Sequence, residues 1–393
     1  MPKLTIEQLE LAGKRVFLRA DLNAPLAGGE VSDDTRLRAV LPTIRYALTA
    51  GAAVVLASHL GRPKGKTPEY SMRSIAERLG ALLGQPVELA PDCVGPETAA
   101  RARTLRPGEI LLLENLRFHP EEEKNDDAFA GQLATLADCY VNDAFAAAHR
   151  AHASIDAITR HLRPAAAGLL MQQELAALGR ILEAPARPLV AILGGAKVSD
   201  KLVLVSHLLG RVDALLIGGG MAFTFLQALG HAVGRSLVEA ERVETARAAL
   251  ETARRRGVRV VLPVDVLAAE GLDSPSGRTV GVREIPADLM GLDIGPRTVE
   301  AFAAELRTAR TIAWNGPMGV FEKAPFAGGT VAVARAVASA PAFSVIGGGD
   351  TIAAVAQAGV TDRIGYISTA GGAFLEYLEG RKLPGVEALT EAA

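Results

Sequence analysis

The sequence predicts an α/β protein built from two doubly wound, parallel-sheet domains of the Rossmann-like kind. Three observations lead to this fold class: a length of 393 residues, short apolar runs without polar alternation, and longer amphipathic stretches between them. At roughly 100–200 residues per domain, the length corresponds to two domains or three. Near-continuous apolar runs are typical of strands buried on both faces of a parallel sheet, and the amphipathic stretches predict helices that cover those faces.

Nine apolar runs are predicted to be the strands of the two sheets. In chain order they are residues 15–18, 52–56, 110–113, 139–141, 189–193, 214–217, 258–262, 311–314 and 343–346. Amphipathic stretches at 71–83, 202–209 and 238–256 predict helices between them. Strands that alternate with helices indicate right-handed crossover connections and therefore parallel sheets.

A long helical stretch at residues 168–182 is predicted to connect the two halves, with the boundary near residues 185–188. We therefore expect a first domain at 1–170, an interdomain helix at 171–185 and a second domain at 186–374. The final segment, 375–393, contains one helix-like piece and is compatible with packing on either domain.

The composition excludes several classes of function. Lys and Arg number 42 against 44 Asp and Glu, and a net charge of −2 provides no basic field for nucleic acid or an anionic membrane. No apolar run reaches the roughly 18 residues that span a bilayer. Residues 1–7 are too polar for a signal peptide, so a cytoplasmic location is expected. Two cysteines, Cys93 and Cys139, cannot form a disulfide framework or a four-thiolate zinc site.

Arginines recur near the carboxyl ends of the predicted strands in the first half, where open parallel sheets bind ligands. They are Arg36, Arg62, Arg117 and Arg150. A guanidinium group binds carboxylate or phosphate through two parallel hydrogen bonds, so the set predicts an anion-binding basin. For any single arginine, a solvated surface position is an equally good explanation; the recurrence favours a site.

Other polar residues of the first half allow two explanations each. Asp21 and Asn23, beside these cations, suggest recognition of a hydroxyl group, although an Asx turn leaving a strand is the more common explanation. His59 and His149 have the side chain suited to general-base catalysis. Neither lies beside a serine or cysteine in a nucleophile motif, which favours a hydrogen-bonding or positioning role.

Glycines follow the predicted strands of the second half. Residues 194–201 read Gly-Gly-Ala-Lys-Val-Ser-Asp-Lys, and Lys197 and Lys201 would add cations to a backbone that phosphate can approach. Residues 347–351 read Gly-Gly-Gly-Asp-Thr; their amides suit phosphate and Asp350 suits Mg²⁺, while an N-cap is the other explanation. Glu322 suits a ribose, with a solvated glutamate as the default.

Two nucleotide motifs are rejected. Residues 61–67 look like a Walker A loop, but three residues rather than four separate the glycines, and the segment runs into Pro68 instead of a helix. The fingerprint G-x-G-x-x-G does not occur, which argues against dinucleotide binding.

Together and in order, these motifs resemble the phosphoglycerate kinase family over essentially the whole chain. The matching segments are residues 19–25, 58–65, 114–118, 141–145, 148–154, 194–201, 291–296, 314–322 and 347–351. The resemblance implies two domains joined by a hinge, a C-terminal segment 375–393 that returns to the N-terminal domain, and a monomer. It also implies reversible phosphoryl transfer from 1,3-bisphosphoglycerate to ADP, giving 3-phosphoglycerate and ATP, with Mg²⁺ and after hinge closure.

The resemblance also assigns residues. Phosphoglycerate-binding positions are Asp21, Asn23, Arg36, His59, Arg62, Arg117 and Arg150. Nucleotide-binding positions are Lys197, Lys201, Gly291, Asn315, Glu322, Gly348, Gly349, Asp350 and Thr351, with Asp350 as the metal ligand. We expect Arg36, Lys197 and the amides of Gly371 and Gly372 to stabilise the transferring phosphoryl group.

Departures from the family pattern are few. Ala370 stands where the family usually has glycine, and alanine would be strained there if the position requires a positive φ. Ala146 and Ala147 also replace the usual Gly-Thr or Gly-Ser. Two other functions stay open: an NAD-dependent dehydrogenase, which the missing fingerprint disfavours, and a non-catalytic two-domain anion-binding protein, which two unlike sites disfavour.

Overall fold

Alternating strands and helices build two compact units, which a computed structural model describes over residues 2–392. The first unit comprises the chain up to Leu175 together with the segment from Lys382 onwards. The second unit runs from Ala176 to Arg381. The division thus falls inside the helix that was expected to connect the halves.

A six-stranded parallel sheet forms the centre of the first unit. The strands of this unit are β1 (Arg15–Ala20), β2 (Leu26–Ala27), β3 (Glu30–Val31), β4 (Ala53–Ala57), β5 (Glu88–Leu89), β6 (Ile110–Leu112), β7 (Cys139–Asp143) and β8 (Ala165–Ala167). Their order across the sheet is β5-β6-β4-β1-β7-β8, while β2 and β3 form a small antiparallel hairpin. Consecutive residues of β4 and β7 are all buried, as the unalternating apolar runs predicted.

Six helices belong to or begin in this unit: α1 (Thr35–Thr49), α2 (Arg73–Leu83), α3 (Pro96–Thr104), α4 (Asp127–Ala134), α5 (Ile158–His161) and α6 (Leu169–Leu182). The apolar faces of α1 and α2 join one core with β1 and β4, through residues such as Leu37 and Ile75. A π-helical segment, Ala153–Ala157, precedes α5. Such segments are rare and occur frequently at functional sites.

The second unit repeats the parallel arrangement and adds an antiparallel sheet. Its strands are β9 (Leu189–Leu193), β10 (Ala214–Ile217), β11 (Arg259–Val261), β12 (Asp265–Ala269), β13 (Arg278–Gly281), β14 (Met290–Ile294), β15 (Thr311–Asn315), β16 (Phe343–Gly347) and β17 (Tyr366–Ser368). The parallel sheet has the order β11-β10-β9-β15-β16-β17, and β13-β12-β14 is antiparallel.

Six helices connect these strands and a seventh follows the last one: α7 (Leu202–Leu208), α8 (Met221–Ala228), α9 (Val243–Arg256), α10 (Pro296–Thr308), α11 (Gly328–Ser339), α12 (Gly349–Gln357) and, after β17, α13 (Gly372–Leu378). Trp314 of β15 and Phe302 of α10 are fully buried in the same core cluster. None of the helices within residues 2–392 combines the length and the apolar character needed to cross a membrane.

The C-terminal segment is held against the first unit by backbone hydrogen bonds. The amide of Leu4 donates to the carbonyl of Thr390 at 2.7 Å, and the amide of Gly385 donates to the carbonyl of Ala148 at 2.9 Å. Gly385 belongs to a short helix, α14 (Pro384–Glu387). The returning segment therefore touches the loop that precedes Arg150.

The predicted fold class is confirmed, and all nine predicted strands lie in the two parallel sheets. The sequence prediction omitted β2, β3, β5, β8 and β17, which have only two or three residues each, and the antiparallel sheet of β12 to β14. Short strands lack a periodic signal, and β13 and β14 carry glycine and charged residues that interrupt an apolar pattern.

We expect Phe302→Ala to destabilise the second unit by about 3–5 kcal/mol, because the substitution leaves a cavity in a closely packed core. Trp314, the chain's single tryptophan, lies in the same core, so its fluorescence during urea unfolding follows this unit. Val203→Ala on α7 is the control, because this side chain is 59% exposed. Equal unfolding midpoints for the two variants would contradict the assignment of Phe302 to the core.

Candidate functional site

The register of the first sheet brings several loops to one edge. Arg19 of β1 lies level with Ala57 of β4 and Asn142 of β7. The carboxyl ends of parallel strands at the same level deliver their following loops to the same side. The predicted residues Asp21, Asn23, His59 and Arg62, which follow β1 and β4, and Arg117 and Arg150, which follow β6 and β7, therefore belong to loops at one edge.

Arg36 and Asp21 form an ion pair at this edge. Arg36 lies in the first turn of α1, and its Nη1 donates to Oδ2 of Asp21 at 2.8 Å. The Arg36 side chain is 38% exposed, whereas that of Asp21 is 11% exposed. Asp21 thus orients the guanidinium, which remains open to an anion from solvent. Oδ1 of Asp21 also accepts from the amide of Asn23, the Asx turn that was the alternative explanation.

Asn23 and Arg117 both hold the loop that follows β4. Oδ1 of Asn23 accepts from the amide of Gly61 at 2.8 Å, and Nη1 of Arg117 donates to the carbonyl of Gly61 at 2.8 Å. The loops after β1, β4 and β6 are therefore joined at Gly61. Arg62, the next residue, is exposed.

The charged state of His59 follows from its surroundings. His59 is buried, and burial together with the nearby cations Arg19 and Arg117 lowers its pKa well below the usual value. His59 is therefore neutral at physiological pH. Further along the edge, Nε of Arg150 donates to Nε2 of His149 at 3.1 Å. Positive charge at this edge therefore comes from arginine rather than histidine.

A buried polar layer next to this edge was missed by sequence reasoning. Arg19, Glu122 and Ser154 are at most 1% exposed. Glu122 lies in the run Glu121-Glu122-Glu123, which resembles a solvated charged face. The prediction ended the first strand at residue 18, whereas the structure includes Arg19 in β1, where the buried guanidinium requires a partner.

In the second unit, too, neighbouring strands of the parallel sheet end at the same level. Asn315 of β15 pairs with Leu193 of β9 and Gly347 of β16, and Gly347 pairs with Ser368 of β17. The loops after β9, β15, β16 and β17 therefore leave the same edge. These loops carry the predicted residues Lys197, Lys201, Glu322, Gly348, Gly349, Asp350, Thr351, Gly371 and Gly372.

Glycine is required where two of these loops meet. A Cβ atom on Gly194 would lie 2.0 Å from the carbonyl oxygen of Pro317, so the loops after β9 and β15 pack backbone against backbone. Gly348 has φ of +94°, and an added Cβ would lie 2.7 Å from Nδ2 of Asn315. The glycine clusters in the sequence thus reflect close approach as well as conformation.

Lys201 and Asn315 tie the same loops together through polar contacts. Nζ of Lys201 donates to Oδ1 of Asn315 and, at 3.3 Å, to its backbone carbonyl. Burial lowers the pKa of Lys201 to about 8, although Asp200 and Asp350 act in the opposite direction. Lys197, by contrast, is exposed.

Two further hydrogen bonds order the loop after β16. Nδ2 of Asn315 donates to the carbonyl of Gly347 at 2.7 Å, and the amide of Gly316 donates to Oγ1 of Thr351 at 2.7 Å. Thr351 is fully buried in the first turn of α12. Thr351 therefore orders the loop through its side chain, whereas the amides of Gly348 and Gly349 remain candidates for a ligand.

A cavity of about 420 Å³ opens beside these loops. Its lining includes Gly195, Phe223, Gly291, Met318, Glu322 and Asp350. Most of this lining is apolar, and an added Cβ on Gly291 would lie 2.1 Å from the Phe223 ring. Glu322 and Asp350 are exposed acidic residues at the cavity. A flat apolar ring with an attached polar group suits such a cavity.

The loop after β17 shows that Ala370 is not strained. Within residues 2–392, Asn125 is the only non-glycine residue with a positive φ. Gly371 itself has φ of +55° and precedes α13, which begins at Gly372. The glycine requirement therefore applies to position 371 rather than 370.

Asp92, Cys93 and His119 form the one group of three possible metal ligands found within residues 2–392. Nε2 of His119 lies 2.7 Å from Oδ1 of Asp92, which also accepts from the amide of Cys93. Lys66 approaches the other oxygen of Asp92 at 3.5 Å. Cys93 is fully buried, and burial raises the pKa of its thiol well above the usual value. The carboxylate of Asp92 therefore already has hydrogen-bond partners and a nearby cation within the protein.

Comparison with known proteins gives one consistent family. The family model for phosphoglycerate kinase matches residues 6–381. The chain is 57% identical to phosphoglycerate kinase from Moorella thermoacetica and 56% identical to that from Acidobacterium capsulatum, with 100% of each chain covered in both cases. The solved structure of phosphoglycerate kinase from Coxiella burnetii matches with a TM-score of 0.93 at 41% identity, over 98% of each chain. That from Pyrococcus horikoshii OT3 matches with a TM-score of 0.80 at 37% identity, also over 98% of each chain.

Asp293 of β14 is a buried carboxyl group at the cavity that should make stability depend on pH. Its Oδ2 accepts from the amide of Gly329 at 2.6 Å and its Oδ1 from the amide of Ile294 at 2.9 Å. Burial nevertheless raises the pKa of Asp293 to about 7. Between about pH 4 and pH 7 the folded chain therefore binds a proton that the unfolded chain has released.

We expect Asp293 to contribute stability that is fully present below about pH 4 and is lost as the pH rises through about 7. At about 1.4 kcal/mol per pKa unit, the loss is on the order of 4 kcal/mol. The side chain introduced in the variant Asp293→Asn does not titrate. The unfolding free energy of the wild type should therefore fall relative to that of the variant as the pH rises over this interval. Urea unfolding followed by Trp314 fluorescence at pH 4.5, 6 and 7.5 measures both unfolding free energies. Parallel pH profiles for wild type and variant would contradict the prediction.

Proposed function

Because this chain belongs to the phosphoglycerate kinase family, we propose that its two sheet edges bind the two substrates of that family's reaction. The chain is a phosphotransferase that transfers a phosphoryl group reversibly from 1,3-bisphosphoglycerate to ADP, giving 3-phosphoglycerate and ATP. This transfer is a step of glycolysis. In the proposal, phosphoglycerate binds at the arginine-rich edge of the first unit and the nucleotide binds at the glycine-rich edge of the second.

The observation that carries the assignment of sites is the chemical difference between the two edges. The first edge presents the guanidinium group of Arg36, in the first turn of α1, and that of Arg117, on one of three loops joined at Gly61. The second presents a largely apolar cavity bounded by glycine-containing loops, and Lys201 is held by Asn315 where two of these loops meet. A small, doubly anionic molecule suits the first edge, whereas a flat base with attached phosphates suits the second. A one-ligand binding protein would require only one of these surfaces, and the absence of the G-x-G-x-x-G fingerprint disfavours a dehydrogenase.

At the first edge, Arg36, Arg62, Arg117 and Arg150 would neutralise phosphate and carboxylate groups. Asp21 and Asn23 have oxygen atoms suited to the substrate hydroxyl group. His59 would contribute a neutral hydrogen bond, because its pKa is held low by burial and by Arg19. Binding by several guanidinium groups fixes the orientation of the substrate as well as its charge.

At the second edge, the base would lie against Phe223 and Gly291, and Glu322 would accept hydrogen bonds from the ribose. Lys197 and Lys201 would reach the phosphates, together with the amides of Gly348 and Gly349. Asn315 and Thr351 would support this loop, as their hydrogen bonds to Gly347 and Gly316 indicate.

Asp350 fits the requirements of a magnesium ligand. Mg²⁺ takes oxygen ligands and usually combines one or two carboxylates with water and substrate phosphate oxygens. Asp350 is an exposed carboxylate in the first turn of α12, at the cavity, and it forms no ion pair within 4.0 Å among residues 2–392. When bound there with the nucleotide, Mg²⁺ would neutralise charge on the phosphate oxygens.

The chemistry needs positioning and charge stabilisation more than a base. In the ATP-consuming direction the nucleophile is a carboxylate, and with an ordinary pKa near 4 it is ionised at neutral pH. Arg36, Lys197 and the amides of Gly371 and Gly372 would stabilise the charge of the transferring phosphoryl group. Transfer would be direct and in line, without a phosphoenzyme. Domain closure, action as a monomer and a cytoplasmic location remain predictions.

The decisive experiment is a coupled assay for ADP-dependent release of 3-phosphoglycerate from 1,3-bisphosphoglycerate. We expect turnover with Mg²⁺ and its loss with a chelating agent, because the phosphate charges are then unscreened. Asp350→Asn should raise the Mg²⁺ concentration for half-maximal rate at least tenfold. Asp362→Asn, an exposed acidic residue in the turn Thr361–Arg363, is the matched control. Equal Mg²⁺ dependence in both variants would remove Asp350 from the site.

Arg36→Ala should lower kcat by a hundredfold or more, on the order of 3 kcal/mol, because Arg36 is assigned to the transition state. Arg38→Ala is the matched control: Arg38 lies on the same helix, is exposed, and pairs with Asp34 at 2.7 Å instead of with Asp21. Steady-state kinetics with both substrates provide the measurement. A change confined to KM would assign Arg36 to uniform substrate binding instead.

A further inference from the structure

We propose that Glu122, Ser154 and Arg19 form a buried relay that fixes the ring tautomer of His59, so that His59 presents an N–H group to phosphoglycerate. Glu122, Ser154 and Arg19 are positioning residues in this inference, because they act on the substrate only through His59. The inference rests on the proposed binding of phosphoglycerate at the first edge. It goes beyond that proposal by assigning a role to three buried residues and a protonation state to a fourth.

The relay begins at Glu122, which is fully buried. Its Oε1 accepts from the hydroxyl group of Ser154 at 2.6 Å, and its Oε2 accepts from the amide of Ser154 at 2.9 Å. Both carboxylate oxygens are therefore occupied by donors on one residue. Ser154 lies in the π-helical segment Ala153–Ala157, and both its amide and its hydroxyl group point to Glu122.

Arg19 is the second connection. The hydroxyl hydrogen of Ser154 is committed to Glu122, so its oxygen is left to accept, and Nε of Arg19 donates to it at 2.9 Å. Nη1 of Arg19 donates to the carbonyl of Ala20. The guanidinium of this 1%-exposed residue is thus held on two of its three nitrogens before it meets His59.

The tautomer of His59 follows from the third nitrogen. Nη2 of Arg19 lies 3.3 Å from Nδ1 of His59. A guanidinium group can only donate, so Nδ1 must accept and cannot carry a hydrogen. Burial and the surrounding cations keep the ring neutral, and its single hydrogen is therefore on Nε2. Since Nδ1 is occupied by Arg19, Nε2–H is the ring group left for a ligand.

Glu122 also balances the charge of this buried layer. Arg19 would otherwise be a buried cation without a counter-charge, whereas Arg117 pairs with the exposed Glu123 at 3.2 Å. His152 has Nδ1 3.9 Å from Oε1 of Glu122, but burial and nearby arginines lower its pKa to about 3, so it supplies no positive charge at neutral pH. Burial raises the pKa of Glu122, while Arg19 and the two donor groups of Ser154 favour its charged form, so Glu122 and Arg19 stabilise each other's charge beside His59.

The test compares two substitutions that each remove a buried hydroxyl group at or next to Ser154. Ser154→Ala removes the relay hydroxyl. Tyr140→Phe removes a hydroxyl that donates to the carbonyl of the same Ser154 at 2.8 Å but takes no part in the relay. We expect Ser154→Ala to raise KM for 3-phosphoglycerate about tenfold with KM for ATP unchanged, and Tyr140→Phe to change neither. Equal KM changes in the two variants would overturn the relay.

Nitrogen-15 NMR of the histidine side chains tests the tautomer directly in the ligand-free wild-type chain. We expect a pyridine-type resonance for Nδ1 of His59 and a pyrrole-type resonance for Nε2, identified by their loss in His59→Gln. In Ser154→Ala, and in Glu122→Gln if Ser154→Ala does not fold, the two resonances should move toward average values as both tautomers become populated. A pyrrole-type Nδ1 in the wild-type chain would overturn the inference.

The two measurements separate this inference from the proposed function. The NMR result needs no substrate, so a wild-type chain with the expected tautomer but without turnover would contradict the proposed function and leave the relay intact. Turnover with unchanged His59 resonances in Ser154→Ala and Glu122→Gln would contradict the relay and leave the proposed function intact.

Discussion

Parallel strand register is the constraint on which both candidate sites depend. Hydrogen bonds between parallel strands place Arg19 level with Ala57 and Asn142, and Asn315 level with Gly347. The loops that follow must then begin side by side, although they are far apart in the sequence. Because the strands are buried on both faces, apolar packing of the sheet brings the strand ends together, and hydrogen bonds such as that between Asn23 and Gly61 then join the loops that follow.

In the proposed function, the two edges would bind anions by different physical means. The first edge uses side-chain cations, and the cost of burying Arg19 is offset by Glu122 through Ser154. The second edge would use backbone amides on loops that are rich in glycine, and glycine is also needed there because a Cβ on Gly194 would lie 2.0 Å from the carbonyl oxygen of Pro317. Guanidinium groups bring charge and orientation, whereas amides bring dipoles that need no counter-ion. Each substrate proposed here matches the means available at its edge.

Much of the fold could be predicted from the sequence because the longer strands of its parallel sheets are continuous apolar runs. The interrupted pattern of β13 and β14 concealed the antiparallel sheet, although Gly291 and Asp293 of this sheet line the cavity. Exposed or half-exposed site residues such as Arg36 and Asp350 could be predicted from motifs, and their roles remain proposals. The position of Glu122 could not be predicted, because a run of acidic residues does not indicate which of them is buried.

The sequence by itself determined the fold class, the family and the kinds of chemical group at each strand end, since these follow from local pattern and from motif order. Tertiary structure decided how those groups are charged and connected: that His59 is neutral, that Asp293 retains a proton to about pH 7, and that Ser154 links Glu122 to Arg19. The physical reason is that desolvation and hydrogen bonding depend on every neighbour of a group in space. Most of those neighbours are distant in the chain, as the 135 residues between Arg19 and Ser154 show.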